Sequence, residues 1–560
     1  MTHDWDANDT ADLSHVPVRS AASREQLFPP SRRSRLDYDL LRLLRVNKRA
    51  IMGGDALLFF QLILPFGDPG KNTIALSPTT GRPLLDPRMA YYSEVEKFTQ
   101  SYATSPGLGG SYGHDFNHPQ IADLVHFDSI VIRDGVLGGS DGAIHLRWKD
   151  GDALFCREIQ ETMSYTRFLQ LKRTYKLNDN NKPQPVGAPR VDPAEKFDLL
   201  YKTIVHNTNI LSATADLDQC VDETIFGHGG YGPAGSGLMK SLIGKKVIKG
   251  GQTVLCADVG RNRVRAYTHR HKCHDVPQGW TREGPREIRR IAECLMPKVR
   301  QDDANEEDDD GRDGGFLFRN RQRILFSEWP HITCDNYFGD ERIDDWLGAS
   351  GFGFLHTTRR DCLPSGVPVW AFHKQSVNPK DLRSRVARFN RPITAVKTSP
   401  TFTKAHVSFQ STGPTNITCV NSLNKNGLYS KVKSRGVGTN KRSWVIEMND
   451  ARQLYLATYG RIDTIDAAIK KCRLFYVTWK YWHAAKNHAL ALALVTAYDI
   501  YQELSTEEQA RSFFGNSDCF PTLTFHQFRD KLSRQGLQYD PTQQNYLGDE
   551  RMRVNTKMPK

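Results

Sequence analysis

The sequence predicts an α/β protein, with an alternating core broken by a β-rich insertion and flanked by mainly helical segments. Three observations carry that expectation. Strand-like, turn and helix-like stretches alternate between residues 216 and 365. Short alternating stretches (ITAVK, AHVSFQ, NITCV) separated by Gly, Pro, Ser and Asn turns occupy 366–440. Runs with apolar residues at helical spacing lie on both sides.

A chain of 560 residues exceeds one ordinary domain. Its 39% hydrophobic and 10% aromatic content is enough for a sizeable core and excludes wholesale disorder. No stretch offers some 18 consecutive apolar residues, so no membrane span is expected. The N-terminus, MTHDWDAND, lacks the basic and apolar regions of a secretion signal. The 10 cysteines are scattered and none forms a CxxC pair. That excludes a disulfide framework or a four-cysteine zinc site and suits a reducing compartment. A formal net charge of +13 and a pI near 9.1 favour a polyanionic partner, because neutralising phosphates releases counterions.

Taken in order, residues 1–36 read as a disordered tail ending in a small basic cluster, Arg32, Arg33 and Arg35. Residues 37–215 open with helical patterns in LDYDLLRLLRVNKRA and in ALLFFQLILPF, the second a buried helix stopped by Pro65. A helix is expected around YYSEVEKFTQSY, strands in SIVIRDGVL and AIHLRW, a loop over 178–193, and a helix in AEKFDLLYKTIVHNTNIL. Within 216–365, DLDQCVDETIF, KVIKGGQTVLCADV, RVRAYTHRH and RILFSEWPHITCDNYF read as strands; GPREIRRIAECLMP and DERIDDWLGASG read as helices. WVIEMND, within 441–466, resumes the style of the core. Residues 467–505 continue IDTIDAAIKKCRLF into one long helix, YWHAAKNHALALALVTAYDIYQEL. Residues 506–560 read as a polar tail with a short helix in TFHQFRDKLSRQGL.

Carboxylates carry the candidate chemistry. Asp222 in CVDET, Asp335 in ITCDNYF and Asp463 in RIDTID all sit in apolar or strand-like settings. A carboxylate at a buried strand end is costly unless paired or metal-bound. Hard divalent cations take oxygen ligands. Two such ions about 3.5–4 Å apart activate water and stabilise the leaving oxygen in phosphodiester cleavage. Singly, each Asp has a plainer reading as a cap or turn residue, and Asp463 would suit an N-cap.

Taken together these motifs resemble the piggyBac-type transposases. VDETIF is similar to the family's first-aspartate strand, ITCDNYFGDERI to its second motif, and YGRIDTIDAAI to its third, Gly-Gly-Val-Asp-x-x-Asp. GFGFLHTTRRDCLP resembles the strand and basic turn between the second and third motifs, and Trp482 with the helix to Leu504 resembles the family's Trp-led helix. The resemblance covers roughly residues 200 to 505 and is fainter from 37 to 200.

It implies an RNase H-like catalytic core formed by 216–365 and 441–466, interrupted by the β-rich insertion 366–440. Asp222, Asp335 and Asp463 would be the catalytic residues and hold two Mg²⁺ (or Mn²⁺) ions, with Asp466 an accessory acidic residue. Segments 37–215 and 467–505 would form a dimerisation and DNA-binding domain. The activity implied is transposition in the nucleus: nicking of double-stranded DNA at element terminal repeats, hairpin formation and attack on TTAA targets, by a homodimer. Positioning and electrostatics suffice for these steps without a covalent enzyme intermediate. Arg359 and Arg360, in the matched basic turn, are expected to contact DNA. Two departures stand out. Arg461 replaces the second Gly and would either contact phosphate or hinder the site. Only Cys519 follows Cys472, so the family's cysteine-rich C-terminal zinc module is expected to be absent.

A second basic cluster lies in RNRVRAYTHRHK. It holds Arg261, Arg263, Arg265, His269, Arg270, His271 and Lys272, and strand alternation would put Arg261, Arg263 and Arg265 on one face, a candidate phosphate-binding row or a solvated sheet face. The spacing of His269, His271, Cys273 and His274 fits no tight zinc site. GHGGYGPAGSG lacks the GK[ST] ending of a phosphate-binding loop and reads as a flexible loop. Trp479, Tyr481 and Trp482 read as core packing ahead of base stacking. The acidic run at 302–310 reads as a solvated loop. Two functional readings remain, an active transposase and a transposase-derived DNA-binding protein without cleavage. A glycoside hydrolase with paired carboxylates would explain neither the basic balance nor the motif set.

Overall fold

A computed structural model of the chain describes residues 55–71, 73–76, 82–86, 88–104, 118–139, 143–178, 192–228, 237–241, 249–270, 279–295, 330–359, 393–398, 403–410, 414–421, 428–435, 442–474, 480–506 and 522–542, together with three short strands before residue 37.

The helical half begins with α1 (Ala56–Ile63), whose residues are all buried, as ALLFFQLILPF predicts. Asp55 caps it, accepting the N–H of Leu57 at 3.1 Å and of Leu58 at 3.2 Å. At its other end the Arg88 guanidinium donates to the carbonyls of Gln61 and Leu62, which have no partner within the helix, while a buried Asp86 balances its charge. There follow α2 (Tyr92–Thr104), α3 (Ile121–Val136), α4 (Arg157–Thr162), α5 (Tyr165–Thr174) and α6 (Glu195–Ile210).

Two expected strands are absent here. SIVIRDGV belongs to α3, and IHLRW forms a short 3₁₀ turn. The helix α3 is buried on nearly its whole circumference, so its apolar run shows no 3.6-residue period, and a buried helix then reads like a buried strand.

The core sheet contains β1 (Asp218–Gly227), β2 (Met239–Ser241), β3 (Lys249–Asp258) and β4 (Val264–His269). After α7 (Glu283–Leu295) come β5 (His331–Cys334), α8 (Glu341–Ala349) and β6 (Gly353–Thr357). The strand order is β4-β3-β1-β5-β6, with β2 also on β3. β5 runs parallel to both β1 and β6, while β3 is antiparallel to β1 and to β4. Alternation along β1 sends Cys220 to one face and Val221 to the other. The Val221 face packs under α7 and α8 through Ile288, Ile291, Ile343 and Leu347. The Cys220 face joins the large helical core. This is the mixed α/β architecture that the alternating segments predict.

The β-rich segment is less separate than expected. β7 (Ile393–Thr398), β8 (Thr403–Gln410) and β9 (Pro414–Val420) extend the core sheet, because β9 pairs antiparallel with the edge strand β6. Pairing covers an edge that would otherwise expose unpaired N–H and C=O groups. β10 (Leu428–Arg435) pairs instead with β11 (Arg442–Asn449), so WVIEMN belongs to this small second sheet and not to the core sheet. Thr10–Ala11, Val18–Ser20 and Arg35–Leu36 pair with β7, β10 and Ser212–Thr214, so these residues are strands and not free tail. The rest of 1–36, and the helix expected over 37–51, lie outside the described residues.

The chain closes with α9 (Asp450–Thr458), α10 (Arg461–Cys472), the long α11 (Tyr481–Thr506) and α12 (Phe525–Leu537). α12 is not part of a polar tail. Phe528 and Leu532 are buried in the helical core, and a Cβ on Gly536 would fall 2.0 Å from Ser129 Oγ, so glycine lets α12 close on α3. Among the described residues no helix is long and apolar enough to cross a membrane.

One buried ion pair ties α3 to α11. Lys486 Nζ donates to Asp128, which also accepts the hydroxyls of Tyr92 at 3.0 Å and Tyr175 at 2.9 Å. Removing either partner strands a buried charge, a loss of about 3–5 kcal/mol, whereas replacing both removes the charge problem. Urea unfolding should therefore show Lys486→Met destabilising the protein by that amount. The double variant with Asp128→Asn should recover most of the loss.

Candidate active site

Asp222 and Asp335 are brought together by strand pairing. Val221 of β1 is the register partner of Cys334, the last residue of β5. The next residues, Asp222 and Asp335, therefore stand side by side on parallel neighbours. Period-two alternation puts Asp222 on the same face as Cys220 and Thr224, the face on which α10 packs. Asp463 lies in the first turn of α10, where the helix dipole favours a carboxylate. It caps nothing: the N-cap position is Gly460, and no side chain bonds there.

Electrostatics links the three. The Asp222 carboxyl is pushed up to about 7, first by burial, then by the charges of Asp335, Glu223 and Asp463, against the N–H of Glu223 that it accepts at 2.7 Å. Asp335, half-buried, accepts the Tyr337 N–H at 2.7 Å, and Asp463 is exposed. Among the described residues, no three His, Cys, Asp or Glu side chains form a group tight enough to hold an ion. The aspartates share a field but not a closed cage. Their donor chemistry is hard oxygen only, which suits Mg²⁺ or Mn²⁺ and not a soft metal.

Asp466, one turn further along α10, accepts the Thr224 hydroxyl. The same Thr224 oxygen meets His488 Nε2 at 2.8 Å, and His488 Nδ1 meets the Tyr201 hydroxyl at 2.8 Å. Burial, then Lys470 and His269, lowers the His488 imidazole to about 3, so it is neutral. With Thr224 donating its single proton to Asp466, proton counting fixes the rest: His488 Nε2–H donates to Thr224 and Tyr201 donates to Nδ1. Nothing in the sequence pattern of a lone His within an Ala/Leu helix points to this relay.

The basic candidates divide sharply. Arg263 and Arg265 are not a solvent-facing row. Arg263 is fully buried against Asp499, at 3.1 Å, and Glu503 of α11. Arg265 is buried against Asp258 at 2.5 Å, and Arg261 lies 3.8 Å from Glu503. Both faces of this strand are covered, so alternation selects no wet side. Arg461 turns away from the aspartates, donating to the Val259 carbonyl and, at 3.0 Å, to Asn262 Oδ1. Arg359 is exposed beside the Asp335 loop, its Nε 3.1 Å from Asn336 Oδ1. Arg360, His271, Cys273, His274, Trp479, the acidic run at 302–310 and most of the glycine-rich loop lie outside the described residues. Trp482 is buried, as a packing role requires, and Tyr481 donates to the Pro193 carbonyl. Sequence reading passed over a cationic cluster at the start of α11. There Lys176 lies 3.8 Å from the Tyr102 ring and 5.2 Å from that of Trp482, with Lys480 5.6 Å from the latter. Burial, then Lys480 and Lys196, lowers the Lys176 ammonium to about 8.

The elements described form a mixed α/β fold built on a mixed sheet. One solved structure that it is similar to is a piggyBac transposase synaptic complex with hairpin DNA, with a TM-score of 0.54 and 14% sequence identity over 88% of this chain and 83% of that one. No family model and no curated protein sequence matches the chain.

The raised Asp222 pKa has a stability consequence. Its contribution is fully present below the usual value of 3.8 and is lost as pH rises through about 7, because the unfolded chain ionises first. In metal-free buffer, the stability advantage of Asp222→Asn over the wild type should widen between about pH 4 and pH 7 and stay constant above. Thermal melts across that range check this.

Proposed function

We propose that this chain is a DNA transposase of the piggyBac type, cleaving and joining DNA at element ends and TTAA-like targets. The observation that carries the reading is topological: Asp222 lies on β1, Asp335 just past the end of the adjacent β5, and Asp463 in the first turn of α10, which packs on β1, within a transposase-like fold. The solved neighbour is itself a complex with hairpin DNA.

On this reading Asp222, Asp335 and Asp463 hold two Mg²⁺ or Mn²⁺ ions. When bound, the ions activate the attacking oxygen and stabilise the leaving one. The chain's own residues do the rest. The elevated Asp222 pKa expresses uncompensated negative charge, which a divalent cation would relieve. Thr224 and His488 hold Asp466 in one orientation beside the aspartates. Arg359, at the edge of the Asp335 loop, contacts backbone phosphate, and Arg360, its neighbour in sequence, is assigned the same role. The cluster of Lys176 and Lys480 on aromatic rings offers a second phosphate contact on the helical half. The protein acts in the nucleus as a homodimer on double-stranded DNA. Arg261, Arg263, Arg265 and Arg461 are structural on this account and touch no DNA.

The open spacing of the carboxylates favours one second reading, a transposase-derived DNA-binding protein that does not cut. A plasmid excision assay with the neighbouring genomic inverted repeats as donor separates the two. Wild-type excision that falls to background in Asp335→Ala, with salt-dependent DNA binding unchanged, is the expected result. Equal DNA binding by both proteins without excision by either would leave the non-cutting reading.

A further inference from the structure

Each of the two sheet aspartates is oriented by a backbone N–H: Asp222 by that of Glu223, Asp335 by that of Tyr337. The side chains of those two donors meet on one cation. Arg270, just past the end of β4, places Nη1 2.5 Å from Glu223 Oε1 and Nη2 2.5 Å from the Tyr337 hydroxyl. Its guanidinium also stacks 4.5 Å from the Tyr337 ring centre. The same Nη2 donates at 2.8 Å to Glu283, which opens α7 and also accepts the Tyr337 hydroxyl at 3.1 Å. Gln252 completes the Glu223 carboxylate at 3.0 Å, and Lys240 reaches Glu283 at 3.1 Å. The guanidinium is only 7% exposed, so these are charge-assisted bonds in a shielded setting.

From this geometry we infer that Arg270 is a positioning residue, tying the middle of β1 to the loop that follows β5 so that Asp222 and Asp335 present a fixed pair to a divalent cation. The inference rests on the metal-site reading above and deepens it. Arg270 touches neither aspartate. It acts through Glu223 and Tyr337, whose amides hold the two carboxylates. A planar fork is needed, because three acceptors on three separate elements must be reached at once, and an ammonium reaches one or two. Gly284 serves the same junction: a Cβ there would fall 2.2 Å from the Tyr337 carbonyl oxygen, so only glycine lets α7 close on this loop. The charge balance fits this assignment. Burial alone would raise the Glu283 carboxyl, but Arg270 and Lys240 hold it down to about 2.

The test is Mn²⁺ binding to the full-length protein, followed by electron paramagnetic resonance, for the wild type, Asp335→Ala, Arg270→Lys and Tyr337→Phe. Groups that orient metal-binding carboxylates are worth about 10–100-fold in affinity. Arg270→Lys should weaken Mn²⁺ about tenfold or more, and excess Mn²⁺ should restore both occupancy and excision, with circular dichroism and DNA affinity unchanged. Tyr337→Phe removes only the hydroxyl and should weaken Mn²⁺ by a smaller factor; it decides the matter if Arg270→Lys does not fold. Wild-type binding that is lost in Asp335→Ala but unchanged in Arg270→Lys and Tyr337→Phe overturns the positioning role and leaves the metal site standing. Wild-type binding that is absent, or indifferent to Asp335→Ala, overturns the metal site and this inference with it.

Discussion

Parallel pairing of β1 with β5 sets two carboxylates side by side at the end of a buried sheet, and much of the surrounding structure answers that electrostatic cost. Burial first, and then the neighbouring carboxylates, push the Asp222 carboxyl up. Asp222 and Asp335 each accept one backbone amide, and the dipole of α10 favours the third carboxylate, Asp463. None of them neutralises the aspartates outright. On the proposed reading, these hard oxygen donors would take a small divalent cation.

The long helix α11 joins this region to the helical half. Along its length Lys486 pairs with Asp128 of α3, His488 meets Thr224 of β1, and Asp499 and Glu503 receive Arg263, just before β4. Its apolar residues fill the same core as α1, α6 and α12. Buried polar contacts of this kind tolerate little misalignment, because each unsatisfied partner costs its full desolvation. The sheet face that carries the aspartates is thus held in register with the helices behind it.

Much of the architecture was legible in the sequence, and the failures have physical causes. α1, α6, α7, α10 and α11 follow from apolar spacing and their end signals. The three aspartates picked out by their motifs lie on β1, just past the end of β5 and in the first turn of α10. α3 was misread because full burial erases periodicity. Arg263 and Arg265 were misread because alternation identifies two faces and says nothing about which is covered; their partners Asp258, Asp499 and Glu503 lie on other elements. The roles of Arg270 and His488 depend on contacts between strands and helices far apart in the chain. No local pattern announces such contacts. The docking of α12 was hidden by the polar outer face of a helix whose inner face is buried.

The most direct test of the central claim is anomalous diffraction from crystals of the protein soaked in Mn²⁺. The account predicts two manganese peaks bounded by Asp222, Asp335 and Asp463, at the roughly 3.5–4 Å separation of two-metal sites. Manganese bound elsewhere, or carboxylates that remain apart at saturating metal, would contradict it.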